Sequence, residues 1–225
     1  NRWFYLNPPP LPQFPLLGVL GFQPSEFAKL SLIIFLAAVL EKKLKRANDT
    51  VFSTYLIVTL MVTFLVFLQP NLSTAALIFM IGTAMYFSSG AQIKSLLISL
   101  PVFALMGIVF MISSAYRRTR LMTFLNFSTD NTDLSTGYHI KQIMIALGSG
   151  GVFGLGFGQS RQKFQYLPEV FADSIFAVIG EELGFIGTTV LIVLFALLIY
   201  KGYSIAKAST DIFGKLLAVG ITTWI

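Results

Sequence analysis

Long apolar runs constrain this chain more than any other feature of it. Ser174 to Tyr200 is interrupted only by Glu181 and Glu182, and apolar stretches also cover about Ser25–Leu40, Val51–Leu68, Leu72–Ser88 and Ser95–Ala115. A helix needs roughly 18 to 20 apolar residues to cross about 30 Å of hydrocarbon, and several of these runs reach or approach that length. Hydrophobic residues make up 55% of the sequence and charged ones 12%, too few charges to cover a soluble core of this size. The chain therefore reads as an all-α polytopic membrane protein. About five complete transmembrane helices are expected, with a truncated sixth beginning near Ile212.

Cysteine is absent, which excludes disulfides, thiolate metal sites and a cysteine nucleophile. The formal charge of +6 does not point to nucleic acid, because the basic residues sit in loops between spans. There is no initiator Met and no signal-peptide pattern, and the sequence stops at Trp224-Ile225 within an apolar segment. A single integral membrane domain over residues 1–225, a fragment of a longer protein, is the expectation.

Orientation follows from one cluster. Lys42, Lys43, Lys45 and Arg46 crowd a short turn between the first two spans, and positive-inside bias assigns that turn to the cytoplasm. Alternation then leaves residues 116–173 outside as a large extracytoplasmic loop. That loop carries Arg117, Arg118, Arg120, Lys141, Arg161 and Lys163 on the side where cations are usually avoided. Long loops are partly exempt from the bias, so ordinary loop charge is one reading. The other is an anion at the outer surface, since guanidinium groups grip phosphate in a bidentate fork.

Within the loop, GYHIKQIMIALGSGGVFGLGFGQS holds an apolar run of barely two helical turns, then glycine at 148, 150, 151, 154, 156 and 158. A re-entrant or interfacial segment suits that run better than a full span. No Gly-Lys-Ser/Thr follows, so the glycines are not a Walker motif. Close backbone packing is the preferred reading, with approach of a bulky substrate to the main chain as the alternative. His139 has no second histidine to share a metal with, and reads as a polar loop residue.

Carboxylates give the sharpest site signal. Glu169 and Asp173 precede the fifth span, and Glu181 and Glu182 lie inside it. A carboxylate at membrane depth costs several kcal/mol and is a functional candidate by default. Asp173 falls near the helix start after Pro168, where N-capping competes with a catalytic or substrate-contacting role. Glu181 lies about 12 Å deeper, so it cannot share a proton or metal with Asp173. The Glu pair reads best as buried acids paired with Lys, Arg or backbone groups on other spans, with a proton or ion path as the alternative. Gly180 and Gly184 offer a small face for a neighbouring helix. Gln23, Ser25, Glu26 and Lys29 open the first span on the outer side, and Glu26 can pair with Lys29 three residues on. Asn71 or Ser73 can cap the third span. By topology these groups share the membrane face of Asp173, so a common outer cavity is geometrically allowed.

Four motifs in order resemble the SEDS family of membrane glycosyltransferases, which includes FtsW, RodA and SpoVE. GFQPSEFAKL is similar to its FQPSE-x-x-K helix start, and QPNLSTA to its QPDLGTA. YRRTRLMTFLN with the glycine-rich segment resembles its large outer loop, and YLPEVFADSIFAVIGEELGFIG its LPE-x-HTD-x-IFAVIGEELG. The Gln-Lys-x-x-Tyr-Leu-Pro-Glu phrasing is nearer to FtsW than to RodA.

The resemblance implies a roughly ten-span protein of the bacterial cytoplasmic membrane that polymerises lipid II, an undecaprenyl-pyrophosphate-linked disaccharide peptide, during cell division. It implies Asp173 as the catalytic base. Arg117, Arg118, Arg120, Lys163, Glu169, Gln23, Ser25, Glu26 and Lys29 become substrate-binding candidates. Membrane lipids, a class B penicillin-binding protein transpeptidase and other divisome proteins are the implied partners, and nucleic acid is not. No cofactor follows from the residues, though a divalent cation stays open. The family's His and Thr before the aspartate are Phe171 and Ala172 here, and its QPDLGTA aspartate is Asn71. Its PLPFISYGGSS motif lies beyond Ile225, so a complete cavity is not expected in these residues. A flippase for a lipid-linked precursor, or a scaffold activating a transpeptidase, are the competing functions.

Overall fold

The structure, a computed structural model, describes residues 4–5, 21–45, 51–69, 71–91, 93–112, 118, 136–160 and 174–225. A short antiparallel pair joins β1 (Phe4–Tyr5) to β2 (Gly21–Phe22), with Phe4 opposite Phe22. Helices follow: α1 (Pro24–Lys45), α2 (Val51–Leu68), α3 (Leu72–Ser88), α4 (Ile93–Ile112), α5 (Thr136–Gly150), α6 (Ile175–Ala208) and α7 (Ile212–Trp224). Two compact units result, Asn1–Leu105 with Ile199–Ile225, and Met106–Leu198.

The apolar runs fold as helices, and two differences from expectation appear outside them. The Lys42, Lys43 and Lys45 cluster belongs to the last turn of α1 and not to a turn between spans. Cations there complement the negative end of the helix dipole, which lets the helix run on past the apolar stretch. Lys43 also donates from Nζ to Thr54 Oγ1 of α2 at 2.5 Å, tying the two helices beyond their connection. The second difference concerns His139, which lies within helix α5 rather than in irregular loop.

In the first unit, α1, α2, α3 and α7 pack together around an apolar core that also takes in polar side chains, while many large apolar residues stay outside. Helix α2 buries Tyr55, Thr59 and Thr63 while Ile57, Met61, Phe64 and Leu65 face outward. Helix α1 buries a stripe from Ser25 and Lys29 through Leu32, Ile33, Leu36 and Leu40, and exposes Phe27, Leu30, Ile34 and Phe35. A soluble protein does not present apolar surface on this scale to water. In hydrocarbon the apolar face needs no cover, and helices join through small and hydroxyl residues. Gly82 of α3 meets Thr59 so closely that a Cβ would stand 2.6 Å from its Oγ1, and a Cβ on Gly220 of α7 would stand 2.7 Å from Ile33. Tyr55 adds a hydrogen bond to Thr83 at 3.0 Å and stacks on Tyr86 with centroids 4.5 Å apart. Helices α2 and α6 are long and apolar enough to cross a membrane, and α3 and α7 are shorter apolar helices. This is a helical membrane protein.

The second unit is organised by a break in α6. Gly184 has φ 65° and ψ −166°, outside the helical region, so the turn around it cannot close its own hydrogen bonds. The carbonyls of Glu181 and Glu182 accept instead from Leu155 N–H (2.9 Å) and Gly156 N–H (3.0 Å). The N–H groups of Phe185 and Ile186 donate to Gly151 O (2.9 Å) and Val152 O (3.2 Å). These are the four groups an unbroken helix would pair with one another. Residues 151–156 therefore act as a strap threaded into the break, and just beyond it Thr188 Oγ1 donates to the carbonyls of Gly184 (3.1 Å) and Phe185 (3.0 Å).

Glycine is what lets the strap sit there. A Cβ on Gly150 would strike the Gly180 carbonyl, one on Gly154 the Glu182 carbonyl, and one on Gly184 the Gly154 nitrogen. Gly151, Gly154, Gly156 and Gly158 all have positive φ. The packing role expected of these glycines is thus met at Gly150 and Gly154. Gly180 also works as anticipated, lying against Leu147 of α5. Gly184 does not: it is the site of the break and not part of a smooth helix-packing face.

Gly184→Ala and Gly148→Ala should have opposite effects on thermal unfolding of the detergent-solubilised protein. At Gly148, in α5 with open space around it, alanine should gain up to about 1 kcal/mol of helix propensity. At Gly184, whose φ and ψ are open essentially only to glycine, backbone strain of about 1–3 kcal/mol and overpacking of about 1–3 kcal/mol should dominate, lowering the melting temperature.

Candidate functional site

At the start of α1 the buried stripe turns polar. Ser25 is 2% exposed and Lys29 5%, one helical turn apart on the same face. Lys29 Nζ makes an ion pair of 2.8 Å with Glu26 Oε1, the pairing their spacing predicts. A buried ammonium without a partner would cost several kcal/mol, so this contact is what makes the position tenable. Glu26 stays 46% exposed in its side chain, which keeps part of its carboxylate hydrated. The face of Trp224, from α7, covers the ammonium with its ring centroid 4.8 Å from Nζ. Ser25 Oγ has no hydrogen-bond partner among the described residues. Gln23 precedes the helix, and its carbonyl accepts from Glu26 N–H at 3.0 Å.

In the second unit Ser174 is buried and its carbonyl accepts from Ala177 and Val178 N–H, so the cap position of α6 belongs to Ser174. Asp173, the next residue upstream, lies outside the described residues. Glu181, 1% exposed, accepts a hydrogen bond of 2.5 Å from buried Ser160 Oγ. Glu182 is buried beside it at 8% exposure. One partner of Glu181 is thus a serine just beyond the strap, where the sequence pointed to Lys, Arg or backbone groups on other spans, and the main-chain carbonyls of both glutamates are held by the strap's amides. Among the described residues no group of three or more His, Asp or Glu could hold a metal ion.

Of the candidates read from the sequence, Ser25, Glu26 and Lys29 stand together on α1, with Gln23 immediately before it. Arg118 is exposed. Arg117, Arg120, Lys163, Glu169 and Asp173 fall outside the described residues. Sequence reasoning missed Trp224 and Ser160. An aromatic residue late in a polar-poor helix was the only trace of the first, and the second followed the glycine run without a mark of its own.

The pattern that defines the FtsW/RodA/SpoVE family, described as cell cycle proteins, matches residues 15–225. The chain belongs to that family. Stage V sporulation protein E of Bacillus subtilis is 43% identical over 216 residues, covering 93% of this chain and 57% of that protein. A probable peptidoglycan glycosyltransferase FtsW of Trichlorobacter lovleyi is 39% identical, covering 89% of this chain and 53% of the relative. A chain of a solved peptidoglycan synthase complex that coordinates polymerization and crosslinking aligns with a TM-score of 0.67 and 26% identity. That alignment covers 92% of this chain and 57% of the other. The chain thus spans about half the length of the curated relatives it matches.

One departure from the family pattern now has a structural account. Asn71, in place of the aspartate, caps α3 by accepting from Thr74 N–H at 3.3 Å. Either residue type can do this. Asn71→Ala should therefore lower stability by about 1 kcal/mol in thermal unfolding, whereas Asn71→Asp should leave it nearly unchanged.

Proposed function

We propose that the protein is a peptidoglycan glycosyltransferase that polymerises lipid II at the outer face of the bacterial cytoplasmic membrane, as a multi-pass protein acting in cell division. The observation that carries this reading is similarity along about nine-tenths of the chain to proteins named for that activity. The same reading takes α1, α2, α3, α4 and α6 as complete spans and α7 as the beginning of a sixth, with residues 116–173 outside. A penicillin-binding transpeptidase is the proposed partner, supported by similarity to a chain of a complex that couples polymerization with crosslinking.

In this mechanism Asp173 is the general base. It takes the proton from the acceptor's GlcNAc 4-hydroxyl, whose oxygen attacks the anomeric carbon of the donor's MurNAc. The bond to the lipid pyrophosphate breaks on the opposite face, and configuration inverts. The base must come within about 3 Å of that hydroxyl, directly or through one water. Negative charge grows on the departing pyrophosphate and needs preorganised cations. Arg117, Arg118, Arg120 and Lys163 are the proposed suppliers from the outer loop. Lys29, with Ser25, Glu26 and Gln23, is the proposed contact from α1, and Glu169 a second polar contact near the base. A lysine held in a buried ion pair suits a phosphate-binding role, because part of the cost of dehydrating its charge is already met by folding.

Lipid II polymerisation by the full-length protein with its transpeptidase partner tests this directly. Asp173→Asn keeps the shape of the side chain and removes the base, so glycan product should fall by roughly 100-fold or more. Undiminished polymerisation would sink the general-base assignment. A wild-type protein that moves lipid II between leaflets without making glycan would favour a flippase.

A further inference from the structure

The ammonium of Lys29 has three donors, and the described structure accounts for two directions of approach. Glu26 Oε1 takes one at 2.8 Å, and the indole of Trp224 covers another at 4.8 Å. One turn back on the same buried face, Ser25 Oγ is shielded from solvent and unpartnered among the described residues. A buried hydroxyl left without a partner costs about 1–3 kcal/mol unless something outside the described residues meets it. A hydroxyl and a cation donor spaced four residues apart on one helix face suit one ligand that carries both charge and hydrogen-bonding oxygens. A phosphate ester of a lipid-linked sugar is such a ligand.

The α7 helix contributes nothing else of this kind at the site. Its buried residues Leu216, Val219 and Gly220 pack on the bundle, while Trp224 at its end is only half-buried. A tryptophan needed merely to fill space would do so equally well away from the charge. Its face, with the centroid 4.8 Å from Nζ, instead takes the place of water beside the ammonium. It also restricts a side chain that otherwise has four rotatable bonds.

We propose that Trp224 is a positioning residue, holding the buried Lys29 ammonium against Glu26 by its ring face so that the remaining donor and the Ser25 hydroxyl meet a phosphate of the lipid-linked substrate. The inference rests on Lys29 contacting substrate, as set out under the proposed function. It adds a residue that the family motifs do not contain.

The test replaces Trp224 of the full-length protein in nanodiscs with mono-, di- and trifluorotryptophan, and separately with leucine. Fluorination drains the negative face of the ring with little change in size, so packing is kept while attraction for the cation falls. The binding constant for fluorescent lipid II should weaken stepwise with each fluorine, roughly three- to tenfold across the series. Trp224→Leu should be at least as weak as the trifluoro variant. In polymerisation, KM should follow the same order while kcat changes much less. Equal affinity across the fluorinated series would overturn the inference, even if Trp224→Leu weakened binding, because the ring would then serve only to pack. Wild-type protein that binds lipid II but makes no glycan would overturn the glycosyltransferase reading, while the affinity series would still decide the role of Trp224. Failure of the wild type to bind lipid II would sink both.

Discussion

A helix that breaks in an apolar surrounding must find partners for its freed backbone groups, and the second unit is built around that demand. No water is at hand in hydrocarbon to satisfy them, so an interruption survives only where other protein lines it. At Gly184 the lining is a short glycine-rich strap that donates to two carbonyls and accepts from two amides. The conformations of Gly151, Gly154 and Gly156, the close approach of Gly150 to Gly180, and the strap's position between α5 and α6 all follow from this one constraint. So does the situation of Glu181 and Glu182. They flank the break from the side of the helix start, with their main-chain carbonyls secured by the strap and Glu181 bonded through its carboxylate to Ser160.

The first unit answers the same solvent in another way. Its helices bury Thr59, Thr63, Tyr55 and Lys29 among leucine and isoleucine, and leave a second set of large apolar side chains, Ile57 and Phe64 among them, outside. With apolar side chains as comfortable against lipid as against each other, hydroxyl contacts and close approach at glycine decide which faces meet. The buried ion pair of Glu26 and Lys29 belongs to this pattern but exceeds it. A charge needs more compensation than a hydroxyl, and here it draws on a carboxylate and an aromatic face together.

Much of this was legible in the sequence because the membrane simplifies the code. The bounds of α2 and α3 coincide with the apolar runs Val51–Leu68 and Leu72–Ser88, since length and hydropathy alone specify a helix there. The Glu26–Lys29 pair followed from spacing on one helix face, and the Asn71 cap from its place before the third run. The break at Gly184 was not legible. Its sequence, GEELG, satisfies the pattern of a continuous helix, and the interruption depends on hydrogen bonds from residues some thirty positions earlier. Trp224 escaped for a related reason. Its partner lies on α1, far away in sequence, and a tryptophan in an apolar helix carries no local sign of a charge beside it. The general-base role of Asp173 was read from motif resemblance, whereas the loop arginines first stood out against the positive-inside bias; both roles stand as proposals.

The order of the strap and its helix along the chain has a consequence for biogenesis. Residues 151–156 leave the ribosome before the GEELG segment they complete. When α6 enters the bilayer, the donors and acceptors for its interrupted turn already exist on the nascent chain. The helix need not cross as a defective rod and be repaired afterwards; it can assemble against a template made, at about 5–20 residues per second, on the order of seconds earlier.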